Sequence, residues 1–392
     1  MSCSHVLFAV SSMGLGHAQR SMPLLQRLRQ RGARLTVISH GRALELLKTQ
    51  LGTSADGMAP VAWMDWPDYP PLQRGSGVAH YAWYAWDSLE LMRCVREEHR
   101  QLLQWLESNP VDLLVSDGRF GVWSPSLPSV LLCHQIQLVP PKGLGWAQAI
   151  FDKAQKDMLG TFDRILVPDA GEPALSLAGR LAHNRLARDL PVTYLGWLSS
   201  LGLSSPESGV AAEPQGPIDW LFLGGGFIEE HRRAFCEWAR RCAGHLPGRV
   251  VVLLGTNEPH WREGFPQATE VYGLVHGHQR EHLMRQARCL VARAGYTTLM
   301  DLMTLKIPAV LLPTPGMTEQ VHLTRQLALH GHPMPDNWPA ELTDTADAPV
   351  VAFDGNRWAT PAPDTRPLAA EQWSTPHAVD RFETVVRELL GG

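Results

Sequence analysis

Twice in this chain a short apolar run passes through a glycine-containing turn into a helix-periodic stretch, then into another apolar run. The first instance is Val6–Val10, the loop Ser11–Gly16, a helix from His17 to about Arg31 with its stripe at Leu24, Leu25 and Leu28, and the strand Leu35–Ser39. The second opens at Asp219–Leu223, crosses Gly224-Gly225-Gly226 into the helical stretch Glu229–Cys242, and returns as Arg249–Leu254. Apolar runs without polar alternation suit strands buried on both faces, and such strands joined by helices form parallel sheets with right-handed crossovers. Val111–Asp117, Pro128–Leu132 and Arg164–Val167 extend the first series; Val271–Val275, Cys289–Ala292 and Ala309–Leu312 extend the second. Between the series, Leu201–Pro217 is small, polar and rich in Pro and Gly, as linkers are. The expected architecture is α/β with two Rossmann-like domains: residues 1–200, a linker at 201–217, a second domain at 218–375, and a closing helix, 376–392, packed across both. A length of 392 residues agrees, being too long for one ordinary core.

Composition narrows the function by exclusion. A formal net charge of -4 gives no general electrostatic case for nucleic acid or an acidic membrane. No apolar run reaches the ~20 residues that span a bilayer, and the N-terminal run lacks the basic flank of a leader. Six cysteines without a CxxC pair read as reduced thiols of a cytoplasmic protein. No metal site is expected: His276, His278 and His282, like His330 and His332, lack cysteine or acid partners at ligand spacing.

Chemistry-bearing residues gather where the strands end. His17 stands where the first loop becomes a helix, at the carboxyl edge at which α/β sheets place ligands, and is a candidate general base. Asp117 ends another strand at that edge and could orient the imidazole, or cap the turn at Gly118. His134 follows a third strand. Gly14 and Gly16 do not make a dinucleotide fingerprint, because position 19 is Gln. The aromatic segment from Trp63 to Trp86, Trp66 included, suits a loop or lid lining an acceptor site, or a helix packed on the core. In the second half, Gly224, Gly225 and Gly226 can wrap an anion with backbone N–H groups, but no Walker lysine follows. Arg293–Gln320 is the richest stretch: a turn at Gly295, hydroxyls of Thr297 and Thr298 at a helix start, the acid Asp301, then a polar loop ending at Glu319-Gln320. A helix start of this kind suits phosphate.

Arg293, Gly295, Tyr296, Thr298 and Asp301, the Glu319-Gln320 pair, the GLGHAQR loop and LLVSDG together resemble the inverting glycosyltransferases of two Rossmann-like domains facing each other across a cleft (the GT-B fold). The similarity is to the family 28 peptidoglycan N-acetylglucosaminyltransferases and to the UDP-glycosyltransferases of plants and bacteria. It implies a metal-independent transfer from a nucleoside-diphosphate sugar, by family default a UDP-sugar, with no other cofactor. His17 would be the base and Asp117 its partner. Gly14, Gly16, Trp66 and His134 would face the acceptor. Gly224–Gly226, Val275 (closing its strand), Arg293, Gly295, Thr297 and Thr298 would surround the diphosphate. Asp301 would bind the ribose, and Glu319 and Gln320 the sugar. The acceptor stays open among glycan, lipid, modified nucleoside and small metabolite. The same scaffold also hosts nucleotide-sugar hydrolases and 2-epimerases, and a non-catalytic sugar-nucleotide binder is the remaining alternative.

Overall fold

A computed structural model describes residues 4–52, 60–70, 78–140, 145–202, 216–225, 229–339, 342, 350–358 and 370–391, with backbone only at 78–88, 356 and 357. Gly226 therefore lies outside the described residues. Contacts divide the chain into two compact units, Met1–Leu198 with Glu371–Gly392, and Ser199–Ala370.

The first unit is built on a seven-stranded sheet of β1 (His5–Val10), β2 (Arg34–Ser39), β3 (Ala62–Asp65), β4 (Leu113–Asp117), β5 (Ser129–Leu132), β6 (Arg164–Val167) and β7 (Val192–Tyr194), in the order β3-β2-β1-β4-β5-β6-β7. Every pairing is parallel. Its helices are α1 (Gly16–Gln30), α2 (Gly41–Leu51), α3 (Val78–Leu106), α4 (Gln148–Leu159) and α5 (Arg185–Asp189). The central strands β1, β4 and β5 are buried at every position, which is why their sequences read as unbroken apolar runs.

The second unit carries a six-stranded sheet of β8 (Ile218–Leu223), β9 (Val250–Leu253), β10 (Glu270–Tyr272), β11 (Ala287–Arg293), β12 (Pro308–Leu312) and β13 (Val351–Asp354), ordered β10-β9-β8-β11-β12-β13, with only β13 antiparallel. Around it lie α6 (Glu229–Ala243), α7 (Gly277–Gln286), α8 (Tyr296–Leu305), α9 (Thr318–Leu329) and α10 (Gly355–Trp358). Trp220, Phe222, Phe235, Trp238, Trp261 and Trp338 fill one core cluster there. Much of the tryptophan is thus packing, each large apolar side chain contributing about 1.5–3 kcal/mol on burial.

The last helix, α11 (Thr375–Leu389), belongs to the first unit. Arg27 of α1 meets Asp380 at 2.9 Å and Glu383 at 2.7 Å, Arg31 meets Glu383 at 2.9 Å, and Trp373 packs on Gly171 and Gly196. The expected division at 375 therefore moves to 370. Three strands escape the apolar-run criterion, β3, β7 and β13. The first two carry no buried residue, so their sequences lack the signal. The strand expected at Val271–Val275 is shifted to Glu270–Tyr272, leaving Val275 in the loop before α7. The Trp63–Trp86 stretch is not one aromatic lid: it opens as β3 and ends inside the 29-residue α3.

In both sheets the strand order reverses at one point, between β1 and β4 and between β8 and β11. Connections leave such a point in opposite directions, opening a crevice at the carboxyl ends where α/β proteins bind ligands.

Candidate active site

Val10 pairs with Asp117 across the β1–β4 reversal, so the loop leaving β1 and the end of β4 meet. Ser11 N–H continues the register by donating to the Asp117 carbonyl at 2.9 Å. In the first turn of α1, His17 Nδ1 lies 2.8 Å from Asp117 Oδ1. The imidazole is 23 % exposed and the carboxylate fully buried, so the ring faces solvent with a hidden acid behind it. Burial alone would raise Asp117, but the charges and hydrogen bonds of Arg20 and His17 outweigh it and hold the carboxyl well below the usual carboxylate range. An ionised acid can only accept. Nδ1 must then carry the proton, which leaves the Nε2 lone pair available for a general base.

The sequence motif contained, without marking them, the groups that hold this pair. Buried Arg20 donates from Nε to Asp117 Oδ2 at 2.9 Å, from Nη2 to Oδ1, and from Nη1 to His134 Nδ1 at 3.0 Å. Buried Ser21 donates its hydroxyl to Oδ2 at 2.7 Å. Gly118 has φ +74°, and a Cβ there would lie 2.8 Å from His17 Cε1. Gly14, at φ +91°, donates to Ser12 O at 2.7 Å, and Gly16 starts α1. The hydroxyl of Ser11 and the amide of Ser12 both donate to Asp68 Oδ2, fixing the loop before His17. Trp66 corrects an expectation: 7 % exposed among Leu7, Ile38, Leu102 and Leu114, it is core and walls no acceptor site. His134 is likewise buried, as the acceptor of Arg20.

At the β8–β11 reversal of the second unit, the loops leaving the two strands carry Gly225 and Gly295. Neither has positive φ; a Cβ on Gly225 would meet nothing within 4 Å, and one on Gly295 only Thr298 Oγ1 at 3.8 Å. The fold itself does not require glycine at either place. Gly295 caps α8, whose first turn holds Thr297 and Thr298 and no acid, whereas α6 begins with Glu229 and Glu230. Of the two helix starts beside the reversal, α8 is the one without an acid in its first turn.

Several expected donor contacts are used inside this unit. Gly224 is glycine for packing, since a Cβ would fall 2.5 Å from Leu253 O, and its amide already donates to that carbonyl. Arg293 donates to Pro313 O at 2.7 Å and His231 O at 3.4 Å and lies over the Phe235 ring, anchoring the loop after β12. Gln320 supports that loop by accepting from Thr314 N–H at 2.8 Å, and half-buried Glu319 sits in the first turn of α9. Asp301 is fully buried, ion-paired with Arg280 at 2.8 Å and bonded to Ser199 Oγ at 2.6 Å. A carboxylate so enclosed presents no oxygen to a ribose, so the expected contact does not hold. Val275 is half-buried beside Leu274, whose amide donates to Asn257 Oδ1 at 2.8 Å. Among the described residues, no three His, Cys, Asp or Glu side chains converge as metal ligands. No described helix is long and apolar enough to cross a membrane. Burial raises the Cys236 thiol to about 11 and those of Cys242 and Cys289 to about 12, leaving them unreactive.

No protein-family model matches the chain, and no curated protein sequence matches it. Solved structures do. The glycotransferase of kitacinnamycin superposes with a TM-score of 0.59 at 16 % identity, covering 99 % of each chain. The spinosyn rhamnosyltransferase SpnG, solved with thymidine diphosphate and with spinosyn aglycone, gives 0.55 and 0.58 at 16 % identity, covering 97 % of this chain and 96 % and 99 % of the other. The glycosyltransferase SnogD from Streptomyces nogalater gives 0.54 at 16 % identity over 99 % of each chain. The chain thus has the GT-B fold of these glycosyltransferases, two Rossmann-like units in series.

Proposed function

We propose that the protein is an inverting glycosyltransferase that moves a sugar from a nucleoside-diphosphate sugar to an acceptor hydroxyl. The observation that carries this reading is the His17–Asp117 pair at the switch point of the first sheet, with Nε2 of an accessible imidazole as the base. In the proposed step, His17 Nε2 takes the acceptor O–H proton as that oxygen bonds to the anomeric carbon. The anomeric C–O bond to the diphosphate breaks, and its electron pair leaves on the phosphate oxygen. Charge growing on that oxygen would be met by backbone N–H groups of the α8 first turn and Gly225, fixed dipoles that need no reorganisation. Thymidine diphosphate and an aglycone bound by SpnG support a nucleotide donor and a hydroxylated acceptor here. Either a uridine or a thymidine diphosphate fits this proposal.

Calorimetric titration with UDP and with TDP, followed by incubation with the matching sugar nucleotides, tests it. Binding of one nucleotide, weakened at least tenfold by Gly295→Val, together with sugar transfer to an added acceptor, is the expected result. Absence of binding to either would overturn the donor assignment. Nucleotide release that proceeds unchanged without acceptor would make the protein a hydrolase instead.

A further inference from the structure

Asp117 stands between two partners that a simple histidine–acid pair does not have to share. Its Oδ1 faces His17 Nδ1 at 2.8 Å and Arg20 Nη2; its Oδ2 takes Arg20 Nε at 2.9 Å and Ser21 Oγ at 2.7 Å. Arg20 is 3 % exposed and Asp117 fully buried, so water screens their charges little. Arg20 Nη2 also lies 3.0 Å from His17 Nδ1. A guanidinium only donates and a carboxylate only accepts, so Nδ1 cannot satisfy both. The closer, charged acceptor takes the proton, leaving Arg20 to act on the imidazole through its charge.

Resting on the base role assigned to His17, we propose that Arg20 is a positioning residue that cancels the charge of Asp117, so that the carboxylate orients the imidazole without holding a second proton on it. Without Arg20, His17 would face a buried, uncompensated anion, which favours imidazolium, and an imidazolium cannot act as a base. Another titratable group on the cluster is His134, two residues beyond β5. Its Nδ1 accepts from Arg20 Nη1, which turns the flat face of the guanidinium so that Nε and Nη2 meet Asp117 edge-on. Arg20 thus joins α1, β4 and β5 at the strand reversal.

The test is the pH titration of the His17 imidazole, followed by ¹⁵N NMR of ligand-free protein and assigned by the signal lost in His17→Gln. Arg20→Gln keeps an N–H donor for Asp117 and removes only the charge; Arg20→Met removes both; Arg20→Lys keeps the charge. The expected result is a titration moved to higher pH by about one to two units in the Gln and Met variants, and by less than about half a unit in the Lys variant. Should Arg20→Met fail to fold, Arg20→Gln carries the comparison. A Gln variant titrating with wild type, or a Lys variant moving as far as Gln, would overturn the proposal. No turnover is needed, so the outcome is separate from whether His17 is the base, which loss of transfer in His17→Ala decides.

Discussion

Gly118 leaves the imidazole almost no slack. At φ +74°, and with a virtual Cβ 2.8 Å from His17 Cε1 and 3.2 Å from Ser11 Cβ, the position serves backbone and ring together. The ring edge is the movable party, so Gly118→Ala should cost only about 1–2 kcal/mol of stability, yet displace the base and lower transfer at least tenfold. Unfolding curves and steady-state rates on one preparation check both halves. His17→Ala should lower turnover by about two to four powers of ten while nucleotide affinity stays within about twofold. Turnover close to wild type would remove His17 as base. Asp117 adds a pH signature. Its folded value is depressed below the unfolded one, so its contribution is full above about pH 5 and is lost as pH falls through the folded value. Asp117→Asn, which removes the buried carboxylate that faces the Arg20 cation, should cost about 3–5 kcal/mol at pH 7, and the gap to wild type should narrow below about pH 4. Urea midpoints across that range measure it.

At the scale of elements, the loop that presents His17 is tied to the rest of its unit through a second buried network. Arg119, in the turn after β4, donates to Glu98 of α3 at 2.6 Å and to the carbonyls of Trp66 and Pro67 at 3.2 and 2.7 Å. Tyr69 hydrogen-bonds Glu98, and Gly121 N–H reaches both Glu98 and the Tyr69 hydroxyl at 3.0 Å. Asp68, between these anchors, grips Ser11 and Ser12. Burial first, and then the Glu98 charge, push the Tyr69 phenol well above its ordinary value, so it stays a neutral donor. Glu98→Gln takes from the buried Arg119 cation the larger of its two counter-charges, Asp68 being the other, and should cost about 3–5 kcal/mol, whereas Glu98→Gln with Arg119→Met should cost less than the sum of the single changes. Additive losses in a double-mutant cycle would show that the pair does not act as a unit.

For the whole molecule, the two reversals divide the proposed labour: proton chemistry in the first unit, anion recognition in the second. A nucleoside diphosphate at about 100 times its Kd should stabilise the native state by about 2.7 kcal/mol. Hydrogen exchange should then slow at Gly225 and Gly295–Thr298, in the second unit, before any acceptor is added. Protection confined to His17–Ser21 instead would reverse the division. How much of this was legible beforehand follows burial. His17 and Asp117 could be paired on paper because Asp117 ends one fully buried strand and His17 follows the loop that leaves another. Asp301 and Trp66 misled because a motif position says nothing about which way a side chain faces. Arg20 and Arg119 went unremarked because a lone arginine in a helix or a turn is ordinarily a surface residue.

The sequence by itself determined the two β-α series, the linker between them and the glycine-marked turns, because buried parallel strands need unbroken apolar runs and turns need particular residues. Strand order was decided only in the tertiary structure: nothing local says that β1 lies beside β4, or β8 beside β11. That adjacency brings residues about 100 positions apart to within a hydrogen bond. It also buries Arg20, Asp117, Arg119 and Asp301, and a buried charge must find its partner inside the fold rather than in water.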